Sequence, residues 1–249
     1  MTALSQWLAD GAFHAPLYLV AAVIALWFCA IYVIFAGGAH ALVIDRLPQA
    51  VMTTSGHTLR MHHGQIRREI ALSALSIVVF TLQGTLLVYA LRKGWLIVTW
   101  DRPLWHLLWE LPIVYVWNEV YFFLVHRLLH RDALYRSVHV WHHRSVLTTT
   151  FSAYSFHPLE SFLLGAVLPL ALVFHAFSPW ALLGLTVMSL LLNVSGHLPQ
   201  EGIRDGWSFV RPHSRYHNRH HREFNVHFGF SFAPLDRWFG GADSTSPGA

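Results

Sequence analysis

The sequence predicts an all-α integral membrane protein, with about four transmembrane helices and a helical cap on the cytosolic side that carries a histidine-rich site. Three observations lead there. Only 12% of the 249 residues are charged and 54% are hydrophobic, with a mean hydropathy of +0.41; a soluble domain usually carries about 25% charged residues. Long apolar runs alternate with arginine-bearing segments. Nineteen histidines are present, and nine of them fall into four packets: His126/His130, His139/His142/His143, His197, and His217/His220/His221.

The first apolar run, 16–35, is unbroken for 20 residues, enough to cross a hydrocarbon core of about 30 Å. The residues before it hold Asp10 and no Lys or Arg, so it lacks the positive region of a signal peptide and reads as a retained anchor. A second span, 70–90, stops at Arg92, Lys93 and Gly94. A third, 104–125, is interrupted by His106, Glu110, Asn118 and Glu119. The last apolar stretch, 162–177 and 180–194, is split by Ser178 and Pro179. From 161 to 195 a helix would extend roughly 52 Å at about 1.5 Å per residue, short of the ~60 Å that two crossings need. A short or re-entrant hairpin is expected, with Pro179 at its turn.

The net charge of +4 and pI of 9.5 come without a basic stripe interleaved with aromatics, which excludes nucleic-acid binding. Positive charge instead sets sidedness. Fourteen Lys or Arg residues lie in 37–69, 126–160 and the tail after 195, against three (Arg92, Lys93 and Arg102) in the opposite loops. All histidine packets then fall on the cytoplasmic face. The single cysteine, Cys29, excludes an intrachain disulfide and a CxxC zinc site, and is expected to pack as an apolar side chain. His57, His62 and His63 lie in a basic surface loop, and His14, His40, His106 and His175 stand alone among apolar residues.

Neutral imidazole is the commonest protein ligand for iron, zinc and copper. Nine imidazoles exceed what one ion can use, so the packets predict two metal ions at the water–lipid boundary. His126 and His130, at i and i+4, share one helical face, and Glu119 lies on that face, where it would orient a ring N–H or bind the metal directly. His139, His142 and His143 share a face at i, i+3 and i+4, and His217, His220 and His221 repeat that spacing. His197 follows the hairpin and returns to the same surface, four residues after Asn193, whose side chain is a possible contributor. His157, beside Pro158 at a helix start, and His213 and His227, flanking the last packet, are additional candidates.

The run HRLLH, HVWHH, FHPLE, HNRHH and PLDRWFGG, over roughly residues 60–241, resembles the fatty acid hydroxylase/sterol desaturase superfamily of membrane di-iron enzymes. QIRREI, SFHPLE and LDRWFGG look most like its sterol C5-desaturase branch. The resemblance implies two iron ions held by about eight to ten histidines, O2 as co-substrate, and an external electron donor that is cytochrome b5-like or a ferredoxin with its reductase. His126, His130, His139, His142, His143, His217, His220 and His221 match ligand positions of the group, and His197 matches by its place after the hairpin. Asn193 stands where the hydroxylase branch has a histidine, and His227 where the desaturase branch has the Asn of an NYG triplet. The chain divides into an N-terminal anchor and basic loop (1–69), a hydroxylase/desaturase region (70–241) and a disordered tail (242–249).

The expected function is O2-dependent hydroxylation or desaturation of an unactivated C–H bond in a membrane lipid, whether sterol, fatty acyl or related. A membrane zinc hydrolase is one alternative, and would need a free general base beside an open metal position. A non-enzymatic metal transporter is the other, and would line several spans with ionisable residues.

Overall fold

The computed structural model describes residues 3–43, 52–54, 57–59, 61–198, 211–231 and 233–239. The expected disordered tail, together with Arg46, Arg60 and Arg204 of the charge count, lies outside the described residues. A short helix α1 (Ala3–His14) precedes α2 (Leu17–Tyr32), which runs through a π-helical turn (Val33–Gly37) into α3 (Gly38–Val43). The helix outlasts the expected end near 35 because Gly37 and Gly38 each cost only about 1 kcal/mol relative to Ala, whereas no proline intervenes to remove a hydrogen bond. A two-stranded antiparallel hairpin, β1 (Met52–Thr54) and β2 (His57–Leu59), is a small addition to an otherwise helical chain.

Helix α4 (Gln65–Arg92) starts after Gly64, whose φ of +80° turns the chain into it, five residues before the expected span. A 3₁₀ turn (Leu104–His106) leads into α5 (Leu107–Leu129). The cap follows as α6 (Asp132–Leu134), a π-helical turn (Tyr135–His139), α7 (Val140–His143) and a 3₁₀ turn (Thr150–Tyr154). The hairpin is α8 (Pro158–Gly165) and α9 (Val167–Phe174), then α10 (Pro179–Gly196); α11 (Arg211–Glu223) and α12 (Pro234–Phe239) complete the fold. Pro158 and Pro179 each open a helix, after the caps His157 and Ser178, where a missing N–H does no harm.

Among the described residues, four helices are long and apolar enough to cross a membrane: Leu17–Leu42, Gln65–Arg92, Leu104–Leu129 and Pro179–Gly196. Pro158–Phe174 is apolar but shorter, in keeping with a shallow hairpin. The outer surfaces carry exposed apolar residues such as Leu26, Val78, Leu108 and Phe174, as lipid contact requires. Cys29 is exposed on α2 rather than packed, because α2 turns its other face to α4 and the residues around Phe28 and Ile31 take the interior positions. One core joins Phe28, Phe80, Tyr154, Leu190 and Val194; a second joins Val114, Ala171, Leu172, Ala181 and Leu185. Gly184 lets α10 close on α5, since a Cβ there would lie 2.6 Å from Leu111 Cδ2.

Two buried carboxylates fasten the two ends of this bundle. Glu69 accepts hydrogen bonds from Gln65 Nε2 at 2.8 Å, Ser145 Oγ at 2.7 Å, Ser152 Oγ at 3.0 Å and Thr149 Oγ1. The loop that follows α7 is thereby tied to the first turn of α4. At the other end of α5, Glu110 accepts from Arg102 at 2.6 Å, from the Ser178 backbone N–H at 3.1 Å and from Ser178 Oγ. His175 joins that group through Arg102 at 3.1 Å.

Glu69→Ala strands four buried donors and should cost about 3 kcal/mol or more, read as a lowered Tm of the detergent-purified protein. An unchanged Tm contradicts the fastening role.

Candidate metal centre

The four packets arrive at one place from four directions. His126 and His130 come from the end of α5, His139, His142 and His143 from the π-helical turn and α7, His197 from the end of α10, and His217, His220 and His221 from α11. They form two groups whose ligand-capable atoms lie within 4.8 Å of one another: His126, His130, His139, His143 and His220 in one, and His142, His197, His217 and His221 in the other. All but His130 are buried.

Hydrogen bonds determine which ring nitrogen is free. Nδ1–H donates to a carbonyl in His126 (Phe228, 2.8 Å), His142 (Ser155, 3.3 Å), His197 (Asn193, 2.7 Å) and His220 (Val226, 2.6 Å). In His139 it meets the Glu160 carboxylate at 2.8 Å. A carbonyl only accepts, so Nδ1 carries the proton and Nε2 presents a lone pair. Yet the Nε2 atoms of His142 and His197 lie 3.3 Å apart, and His197 Nε2 is 3.1 Å from that of His217 and 3.2 Å from that of His221. The other group has the same spacing, with His143 Nε2 3.1 Å from His139 and from His220, and His130 3.2 Å from His220.

Lone pairs facing one another at this range need a cation between them, either a proton or a metal ion. Burial works against the proton. Desolvation, reinforced by neighbouring imidazoles, pushes His139, His142, His143, His217, His220 and His221 well below the ordinary histidine range. It lowers His197 to about 4 and His130 to about 2. A metal ion about 2.1 Å from each nitrogen would subtend roughly 95–105° across such N···N edges. The donor set therefore fits a metal in each group, and all-imidazole ligation suits iron, zinc or copper.

A second tier orients the rings. Asp236, fully buried, accepts from the backbone N–H groups of Phe228 (2.8 Å) and Gly229 (2.7 Å) and from Tyr216 OH. It thus holds the strand of backbone whose Phe228 carbonyl orients His126. Glu160 and Asp236 were not expected as site residues. Their signal lay in the motifs FHPLE and PLDRWFGG, but single carboxylates do not announce which histidine or loop they will meet.

The remaining candidates lie outside both groups. Glu119 receives Ser231 through its N–H and its Oγ, each at 2.9 Å, so it braces the C-terminal segment, while the His126 Nδ1 position expected for it goes to Phe228. The Asn193 backbone carbonyl orients His197, and its side chain donates to Ser189 O at 3.3 Å at the edge of the site. His157 caps α8 by accepting from Leu159 N–H. His213 meets Ser195 Oγ at 2.8 Å. His227 donates to Tyr216 O and stacks on the Tyr216 ring at 3.9 Å. Its φ of +58° lies in the left-handed region, where Asn, Asp and His are enriched among non-glycine residues.

In the metal-free protein, the unfolded chain takes up protons below about pH 6.5, whereas the folded rings, lowered to about 4 or beneath, do not. Stability is therefore full above about pH 6.5 and declines as pH falls below it; Tm measured after chelation should follow that course, and a flat profile contradicts neutral rings. His227→Asn should leave both Tm and bound metal unchanged, whereas loss of metal would make His227 a ligand.

The family model for fatty acid hydroxylase matches residues 111–241. Among curated proteins, a Delta(7)-sterol 5(6)-desaturase of Leptosphaeria maculans is 24% identical, over 80% of this chain and 54% of the relative. The desaturase erg3B of Aspergillus fumigatus is 26% identical, over 83% of this chain and 60% of its own. A Dictyostelium discoideum protein provisionally named a methylsterol monooxygenase is 27% identical, over 55% and 52%. The chain spans about half the length of these relatives. No solved structure matches it. With the model covering just over half of its residues, the chain belongs to the fatty acid hydroxylase family, and sterol desaturases are among its relatives.

Proposed function

We propose that the protein is a membrane-bound, O2-dependent di-iron oxidoreductase that hydroxylates or desaturates an unactivated C–H bond of a membrane lipid. The observation that carries this reading is the convergence of neutral imidazole lone pairs into two adjacent buried groups. When bound, two ferrous ions supply the reduction of O2 and the abstraction of hydrogen, with electrons drawn from a cytochrome b5-like or ferredoxin partner. His126, His130, His139, His143 and His220 would hold one ion, and His142, His197, His217 and His221 the other. The site faces the cytoplasm, where such donors are found, in agreement with the positive charge of its loops.

The chain's own contribution is enclosure and aim. A small pocket beside His126, His139, His142 and His217 is lined also by Phe122, Phe156, Leu164 and Asn193. Those last four residues also line a larger, partly open cleft that lies among the membrane helices. An apolar substrate can thus lie in the cleft with one C–H bond presented to the centre while Phe122, Phe156 and Leu164 keep water out. The names of the relatives, sterol desaturases and a methylsterol monooxygenase, support a lipid substrate and either outcome, alkene or alcohol. The hydrolase alternative lacks support, since Glu119 is engaged by Ser231 and Glu160 by His139. The transporter alternative fares similarly, since Glu110 is closed off by Arg102 and Ser178.

Purified protein should contain about two irons per chain and consume O2 only with a lipid and a reductant present. His142→Ala and His220→Ala should each lower turnover by about 100-fold or more. Retained turnover in both overturns the ligand assignment, and zinc movement without O2 use overturns the oxidase reading.

A further inference from the structure

The group of His142, His197, His217 and His221 spans a seam between two helices. His197 stands just past the end of α10, and its Nε2 lies 3.1 Å and 3.2 Å from those of His217 and His221 on α11. The bond from His197 Nδ1 to Asn193 O fixes the ring against α10, but not against α11. A helix end leaves its last carbonyls without partners in the helix, so a group outside α10 must hold the backbone around His197.

Asn218, buried on α11 between His217 and His220, holds it. Its Nδ2 donates to Gly196 O and to Leu198 O, each at 3.0 Å, the carbonyls on either side of His197, and lies 2.8 Å from Ser214 O. Its Oδ1 accepts from Thr148 Oγ1 at 2.7 Å, on the loop that follows His142. An amide has the two donors and the acceptor that these partners need, whereas a carboxylate has no donor and a hydroxyl has one. One side chain thus joins the three segments that supply this group. The seam is tight, since a Cβ on Gly196 would lie 3.4 Å from His217 Cβ. Ser214 Oγ also bonds Leu198 O, at 2.6 Å, but this grips one side of His197 alone.

The other group does not straddle the seam. His126 and His130 come from α5, and His139 and His143 from the π-helical turn and α7. His220, its member on α11, stands on a helix that Tyr216 ties to Asp236, which also holds the backbone behind His126.

We propose that Asn218 is a positioning residue for His197, and that it sets the metal affinity of the group containing His197 while leaving the other group unaffected. This rests on the reading of one ion in each group, and metal binding can be measured without turnover.

The test is Co2+ titration of chelated, detergent-purified protein, followed by bound metal and by the cobalt absorption spectrum. The unaltered protein should take two equivalents. Asn218→Leu should weaken one equivalent about 10–100-fold, the usual cost of losing a group that orients a ligand, and leave the other within about threefold. Added to His142→Ala, where the tight ion that remains belongs to the other group, Asn218→Leu should change that ion no further. Thr148→Val removes the bond to Oδ1 at nearly constant volume and should weaken the same equivalent; Thr148→Ser should restore it. Should Asn218→Leu not fold, the Thr148 pair decides. Equal weakening of both equivalents, or of neither, in the variants that fold overturns the proposal. One equivalent in the unaltered protein overturns the two-ion reading and this proposal with it. Two equivalents, selectively weakened, in a protein that never consumes O2 would keep the role of Asn218 and sink the oxidase.

Discussion

The rings that hold the site are kept neutral by burial, and five of them are turned the same way, with Nδ1–H outward to an acceptor and Nε2 inward. The acceptors are the carbonyls of Asn193, Ser155, Val226 and Phe228 and the Glu160 carboxylate. Each of these acceptors must itself be held still. Asp236 holds the backbone at Phe228, the helical turn of α10 holds Asn193, and the loop beyond α7 is held by Glu69. Much of the buried polar inventory outside the rings is accounted for by these supports.

The two HxxHH packets divide between the two groups in the same manner. In each, the first and last histidines, at i and i+4, enter one group, and the middle one, at i+3, enters the other. His139 and His143 sit with His220; His217 and His221 sit with His142. On a helix, i and i+4 differ by about 40° of rotation, whereas i+3 and i+4 differ by about 100°. Two such helical segments facing one another therefore interlock two sites. Each site depends on both segments, which couples the folding of α7 to that of α11 through any ion bound.

Much of this was legible in the chain. Period and length of apolar runs located the membrane helices, because hydrocarbon thickness sets a minimum run that few soluble segments reach. Histidine spacing located the site. What stayed hidden were single residues acting at a distance in sequence, such as Glu69, Glu160 and Asp236. A lone carboxylate has no spacing pattern, and its partners, Ser145 or Phe228 among them, are known only once loops are folded. Glu119 shows the converse. It occupies the expected helical face, but the C-terminal segment folds back and Ser231 takes it before any ring can.

By itself the sequence determined that the chain is helical, membrane-scale and rich in clustered imidazole, since those properties follow from composition and from the 3.6-residue period. Only the tertiary structure decided which histidines gather in each group, which ring nitrogen faces inward, and that His157, His213 and His227 lie outside both groups. Those outcomes depend on backbone carbonyls from Ser155, Asn193, Val226 and Phe228, and every residue type offers the same carbonyl. Their selection is a matter of where the folded chain brings them, for which side-chain identity carries no code.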